Sequence, residues 1–271
     1  MARERGPMKL TILGRSPARP NPGEACAGYL VEGGGARVLL DVGPGVVSQL
    51  LRRAQPTDLD AVVVSHMHTD HFLDLVTLRY AYPWMEVAPR RLRVILPPGS
   101  REQLRDVARG SGFPEFFDRS FEIEEHDGEH GIEVASSQGA LRLDPVETKH
   151  FIPTWGFRIA ALGEGEVAGR VLAYSADTAP CPSLHGLADG ASLFLCEAGL
   201  RSLDEDSPVP GGRGHLLPSE AGEAAAEASV ERLLLTHLPI GEDGGTWARE
   251  EAARAFAGPV EVAAQLTSYE V

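Results

Sequence analysis

Apolar and polar positions alternate along residues 8–14, the pattern of a strand with one buried face. Tyr29-Leu-Val31 and Val38-Leu-Leu-Asp41 read as the two arms of a hairpin. Residues 43–53 place Val46, Val47, Leu50 and Leu51 at helical spacing. Residues 59–65 form a nearly continuous apolar run, which predicts a strand covered on both faces.

The pattern recurs to the end of the chain. Strands are expected at 91–96, 121–124, 141–146, 156–161, 171–174, 192–196 and 232–236, and helices at 102–108, 218–228 and 246–256. Many strands with interspersed helices predict sheets enclosed by helices. Residues 72–89, carrying Tyr80, Tyr82, Trp84 and Met85, read as a loop or lid, as do residues 203–214. No clean linker divides the chain, so residues 1–271 are expected to form one domain.

Chemistry gathers directly after the predicted strand at 59–65, in Ser65-His66-Met67-His68-Thr69-Asp70-His71. Nine histidines in the whole chain make three within six positions improbable by chance. His66 and His68 lie two apart, so an extended backbone projects both imidazoles to one side. Asp70 and His71 follow at the turn and point toward a second centre. Imidazole and carboxylate are ligands that zinc, manganese and iron(II) accept.

This motif resembles the H-x-H-x-D-H signature of the metallo-β-lactamase superfamily. Later segments supply that family's remaining positions in order: Lys149-His150, Ala176-Asp177-Thr178 and Thr236-His237, each after a strand-like run. The resemblance implies an α+β fold, a four-layer αββα sandwich. It also implies two divalent metal ions, zinc above all, with His66, His68 and His150 on one and Asp70, His71 and His237 on the other. Asp177 would bridge them, and a shared hydroxide would be the nucleophile.

Further segments resemble the ribonuclease Z branch: Asp41-Val-Gly-Pro-Gly45, His150-Phe-Ile-Pro-Thr-Trp-Gly-Phe157, Cys196-Glu197-Ala198 and Gly214-His215. By that resemblance Asp70, His215 and Glu197 are the expected catalytic residues. His215 would protonate the leaving alkoxide, and Glu197 would fix its tautomer and favour the imidazolium. Members that process tRNA carry a long arm, often between the third histidine motif and the bridging aspartate. Only residues 151–176 fill that interval here.

Charge points the same way. A formal net charge of −14 disfavours binding to a phosphate backbone. The resemblance to shorter, armless members of that branch implies a phosphodiesterase on small diesters as the expected activity, with a lactonase, esterase or phosphotriesterase as the alternative on the same metals. A tRNA 3′-processing endonuclease and a non-catalytic metal-binding protein rank below these. Lys149 and Arg158 are the nearest basic residues in sequence for an anionic substrate. Arg90, Arg91 and Arg93 read as a solvated strand edge, residues 122–129 as a solvated acidic turn, and His126, His130 and His185 as surface or loop residues. Aromatics at 72–84, 113–117 and 151–155 fit a pocket wall and core packing equally well. Three cysteines without a C-x-x-C pair, no signal core and no membrane-length apolar run predict a cytoplasmic protein. A homodimer is suggested by the family alone.

Overall fold

The computed structural model describes residues 7–83, 90–110, 112–162, 169–205, 212–241 and 243–271. The first half of the chain builds β1 (Lys9–Gly14), β2 (Gly28–Gly33), β3 (Ala36–Leu40), β4 (Ala61–Val63), β5 (Leu92–Leu96) and β6 (Phe121–Glu125). Helices α1 (Val46–Leu50), α2 (Thr69–Phe72), α3 (Leu75–Ala81) and α4 (Arg101–Gly110) lie between them in sequence. The second half builds β7 (Ile132–Ser136), β8 (Gly139–Thr148), β9 (Thr154–Leu162), β10 (Val171–Tyr174), β11 (Leu193–Glu197), β12 (Leu233–Thr236) and β13 (Val260–Val262). Its helices are α5 (Ser183–Ala188), α6 (Pro218–Glu227) and α7 (Thr246–Ala252), and β14 (Ser268–Glu270) returns to the first sheet beside β1.

The strands form two seven-stranded sheets, in the orders β14-β1-β2-β3-β4-β5-β6 and β13-β12-β11-β10-β9-β8-β7. Both are antiparallel at one side and parallel at the other, the parallel parts being β3–β6 and β10–β13. The inner faces meet in a core that includes Ile12, Tyr29, Val38 and Val63 from one sheet and Phe157, Ile159, Tyr174 and Leu195 from the other. On the outer face of the first sheet, Val62 and Val94 pack with Val46, Leu78 and Leu104 of the helices. On that of the second, Phe194 and Leu235 pack with Leu187, Ala221 and Ala252. Helix, sheet, sheet and helix make the four-layer αββα sandwich, an α+β fold. β4 shows why its sequence run is continuous: Ala61 and Val63 face the inner core, while Val62 faces the helices.

Most expected elements form, and the departures have physical causes. Residues 72–89 are not one loop. Leu75, Leu78 and the Arg79 stem seat α3 on the sheet, and Tyr82 is buried. Trp84 and Met85 lie outside the described residues, as do residues 206–211 of the second expected loop. The helix predicted at 246–256 ends at Ala252. β7, β13 and β14 complete the sheets at positions for which no strand was expected. Phe72, Phe116, Phe117 and Trp155 belong to the cores rather than to a pocket wall. Arg90 and Arg93 are paired with Asp60 and Glu124, each at 2.9 Å. No helix among the described residues is long and apolar enough to cross a membrane.

His126, expected as a surface or loop residue, does follow β6 in a loop but is not at the surface. It is buried with its ring edge-on to Trp155 and Phe157, 5.3 and 5.9 Å between centroids. Its Nδ1 accepts the Gly128 N–H at 3.1 Å, which places the ring proton on Nε2. Burial pushes its pKa down to about 4. Between roughly pH 6.5 and 4 the unfolded chain therefore binds a proton that the folded chain refuses, and stability falls as pH falls. Urea denaturation at pH 7.5 and pH 5 should show a smaller acid loss in His126→Phe than in the wild type. Equal losses in the two would contradict this account.

Candidate metal centre

The parallel strands deliver the site. β4 ends into Ser65, and the chain stays extended through His66 and His68 before α2 turns Asp70 and His71 back over the same region. His150 sits in the turn between β8 and β9, Asp177 follows β10, Glu197 ends β11, and His237 follows β12. His215 precedes α6, whose start is set by Pro218 in the first turn and by Glu220 accepting the Leu217 N–H at 2.8 Å. A backbone bond from Trp155 N–H to Ser65 O, 3.2 Å, ties the β8–β9 turn to the end of β4 across the two sheets.

Two donor groups result. His66 Nε2 and His150 Nε2 lie 3.2 and 3.0 Å from His68 Nδ1. Beside them, His237 Nε2 and His71 Nε2 lie 3.2 and 3.5 Å from Asp70 Oδ2. Asp177 Oδ2 stands between the groups, 3.8 Å from His66 Nε2, 3.9 Å from His150 Nε2, 3.3 Å from His71 Nε2 and 3.4 Å from His237 Nε2. Within each group the ligand atoms lie within 4.8 Å of one another. Tetrahedral bonds of about 2.0–2.1 Å imply donor-to-donor edges of about 3.3 Å, so the donor set fits divalent ions. The buried His71 Nε2 has no hydrogen-bond partner among the described residues, which is the state expected of a donor waiting for a cation.

Hydrogen bonds on the far side of the rings select the tautomers. Ser65 Oγ lies 3.0 Å from His66 Nδ1, Gly214 O lies 2.7 Å from His150 Nδ1, and Asp41 Oδ2 lies 2.8 Å from His71 Nδ1. With a proton on each of these Nδ1 atoms, Nε2 keeps its lone pair for the site. Burial holds His66, His68 and His150 below the ordinary histidine range, so their imidazoles are neutral. His71 goes the other way. Burial opposes its charge, but Asp177 and Asp41 outweigh that and raise its pKa well above the usual value. In Asp70, too, burial opposes ionisation, and the neighbouring His237 and His71 outweigh it, leaving the carboxyl well below its usual range.

Glu197 is buried and fully engaged. Oε1 accepts from Thr178 N–H at 2.8 Å and from His215 Nδ1 at 2.9 Å; Oε2 accepts from Gly199 N–H at 2.8 Å. His215 Nδ1 lies 4.0 Å from Asp177 Oδ2, and its ring stacks on His237 at 5.5 Å. All nine residues singled out in the sequence thus converge. Arg158 does not join them: its guanidinium donates to Leu187 O and Asp189 O at the end of α5. The residue that sequence reasoning missed is Asp41. Its motif was noted, but the carboxylate's role was not. Gly43 of the same motif has no room for a side chain, since a Cβ there would come within 1.8 Å of Asp70 O.

Residues 36–238, a span containing all nine site residues, match a family model described as Beta-lactamase superfamily domain. An uncharacterized protein of Mycobacterium leprae is 33% identical over 273 residues, covering 97% of this chain and 89% of the relative. A ribonuclease Z of Mycobacterium marinum is 30% identical over 282 residues, covering 97% of this chain and 99% of its own. Among solved structures, the metallo-β-lactamase fold protein YhfI of Bacillus subtilis superposes with a TM-score of 0.81 at 26% identity, covering 98% of this chain and 100% of that one.

Replacing Asp41 by Ala strands the donors that it now satisfies. The expected cost is about 3–5 kcal/mol in urea denaturation, as for breaking a buried charged pair, with reduced metal content in the purified protein. A loss below about 1 kcal/mol together with full metal content would count against the role given to Asp41.

Proposed function

The chain belongs to the β-lactamase superfamily domain family, on the ribonuclease Z-like side of that superfamily of metal-dependent hydrolases, and from this we propose a dinuclear phosphodiesterase acting on small phosphodiesters. The observation that carries the reading is the Glu197–His215 pair beside Asp177 and both donor groups. Ligands alone serve any hydrolase of this kind. A histidine held by a buried carboxylate at the edge of the cluster adds a proton donor, which a diester with a poor leaving group requires.

Two divalent ions, when bound, supply Lewis acidity that draws charge from the phosphoryl oxygens and activates water as a nucleophile near neutral pH. The chain's own residues do the rest. His66, His68 and His150 would hold one ion, Asp70, His71 and His237 the other, and Asp177 both. Glu197 keeps the proton of His215 on Nδ1, so Nε2 is the atom through which a second proton passes to the departing alkoxide. Thr178 N–H and Gly199 N–H fix the Glu197 carboxylate, so the pair is set before substrate arrives.

The interval from His150 to Asp177 supports a small substrate. It is closed off by the flanking Lys149–Ala179 bridge and filled by β9 and β10, with residues 163–168 outside the description and no arm among the described residues. The M. marinum relative's name favours a second reading, tRNA processing, and precursor tRNA belongs in the test for that reason.

Leaving-group dependence tests the reading. On a 3′,5′-cyclic nucleotide, whose leaving group is an alkoxide, His215→Ala should lower kcat by about 100-fold or more. On bis-p-nitrophenyl phosphate, whose leaving group needs little protonation, the loss should be much smaller. Asp70→Ala should abolish both activities. Faster turnover of a lactone, a phosphotriester or precursor tRNA, or equal losses on both diesters, would overturn the reading.

A further inference from the structure

His237 is held differently from three of the other candidate ligands. His66, His71 and His150 are each anchored through Nδ1. His237 Nδ1 is buried and has no hydrogen-bond partner among the described residues, although Nε2 is aimed at Asp70 and Asp177. Its backbone is also strained, with φ of +56°. A residue with a Cβ pays roughly 1–2 kcal/mol for that conformation and keeps it only where its surroundings impose it.

The imposing contacts come from the opposite end of the chain. Asn21, buried in the segment between β1 and β2, donates from Nδ2 to Leu238 O at 3.0 Å. Its Oδ1 accepts the Ile240 N–H at 2.8 Å. One side-chain amide thus clamps the two backbone groups that follow His237, as a neighbouring strand would. On the other side of His237, the strand is fixed by Ala198 N–H on Thr236 O at 3.1 Å. Asn21 is itself braced. Its N–H donates to Ser16 Oγ at 3.1 Å and its Nδ2 to Glu24 Oε2 at 2.9 Å, while Arg15 holds Glu24 and reaches Ala263 O.

We propose that Asn21 is the positioning residue of the second metal ion: by clamping Leu238 and Ile240 it holds His237 in the left-handed conformation that aims Nε2 at Asp70 and Asp177. The clamp replaces the ring-anchoring bond that His66, His71 and His150 have. Without it the backbone relaxes, the Cα–Cβ direction of His237 rotates and Nε2 leaves the group, whereas His66, His68 and His150 do not move. The inference rests on His237 being a ligand, as in the proposed function.

Zinc competition against a chromophoric chelator, run on the wild type, His237→Ala, Asn21→Ala, Asn21→Asp and Arg19→Ala, separates the two ideas. His237→Ala should lose one of two ions. Asn21→Ala should weaken that same ion by about 10–100-fold and leave the other unchanged, a selectivity that general destabilisation does not produce. Asn21→Asp, which keeps the acceptor for Ile240 and loses the donor for Leu238, should fall between, and keeps the test open if the alanine variant does not fold. Arg19, exposed on the same segment, should have no effect when replaced. If His237→Ala keeps both ions, the ligand reading fails. If His237→Ala loses an ion while both Asn21 variants bind as the wild type does, or if Asn21 variants weaken both ions equally, the positioning role fails.

Discussion

Asp41 is the contact on which the site depends, because one fully buried carboxylate joins both sheets to the His/Asp donor cluster. Oδ1 accepts from Ser65 N–H at 2.7 Å; Oδ2 accepts from Ser65 Oγ at 2.8 Å, from His71 Nδ1 at 2.8 Å and from the Tyr174 hydroxyl at 2.6 Å. Ser65 and His71 flank the histidine motif after β4, whereas Tyr174 ends β10 of the opposite sheet. A buried carboxylate is costly unless its lone pairs are filled, and here four donors fill them. Asp41 itself is held at φ of +54°, strain that is tolerated because the donors surround it. The sandwich and the site are therefore one construction: separating the sheets at Tyr174 would loosen His71.

The cluster also explains itself electrostatically. Packing five imidazoles and two carboxylates together at the end of a hydrophobic core is unfavourable without a cation. The groups divide the burden. Burial keeps His66, His68 and His150 neutral, while Asp177 and Asp41 load positive charge onto His71 and the histidines hold Asp70 and Asp177 ionised. Divalent ions would take over the charge that the His71 proton carries, so metal uptake and proton release are coupled.

What was legible in the sequence was what depends on local pattern. The strand at 59–65, the parallel strands at 171–174, 192–196 and 232–236, and the ligands at their ends follow from apolar runs punctuated by histidine and aspartate. Edge strands are harder. β13 and β14 have three residues each and only partly buried side chains, so they carry little periodic signal. α3 was hidden because its register against the sheet, not its sequence, distinguishes a short helix from an aromatic loop. The burial of the loop residue His126 was not legible because its neighbours Glu124, Glu125 and Asp127 are polar; it is supplied by Trp155 and Phe157 from the other sheet. Asp41 stood within a recognised motif, but its partners lie 24, 30 and 133 residues away.

The central claim is that seven side chains from both sheets hold two ions that share Asp177. Anomalous scattering from a crystal grown with zinc tests it most directly. Two peaks are predicted per chain, one in reach of His66, His68 and His150, the other in reach of Asp70, His71 and His237, both against Asp177. A single peak, or a second peak away from Asp177, would contradict the account.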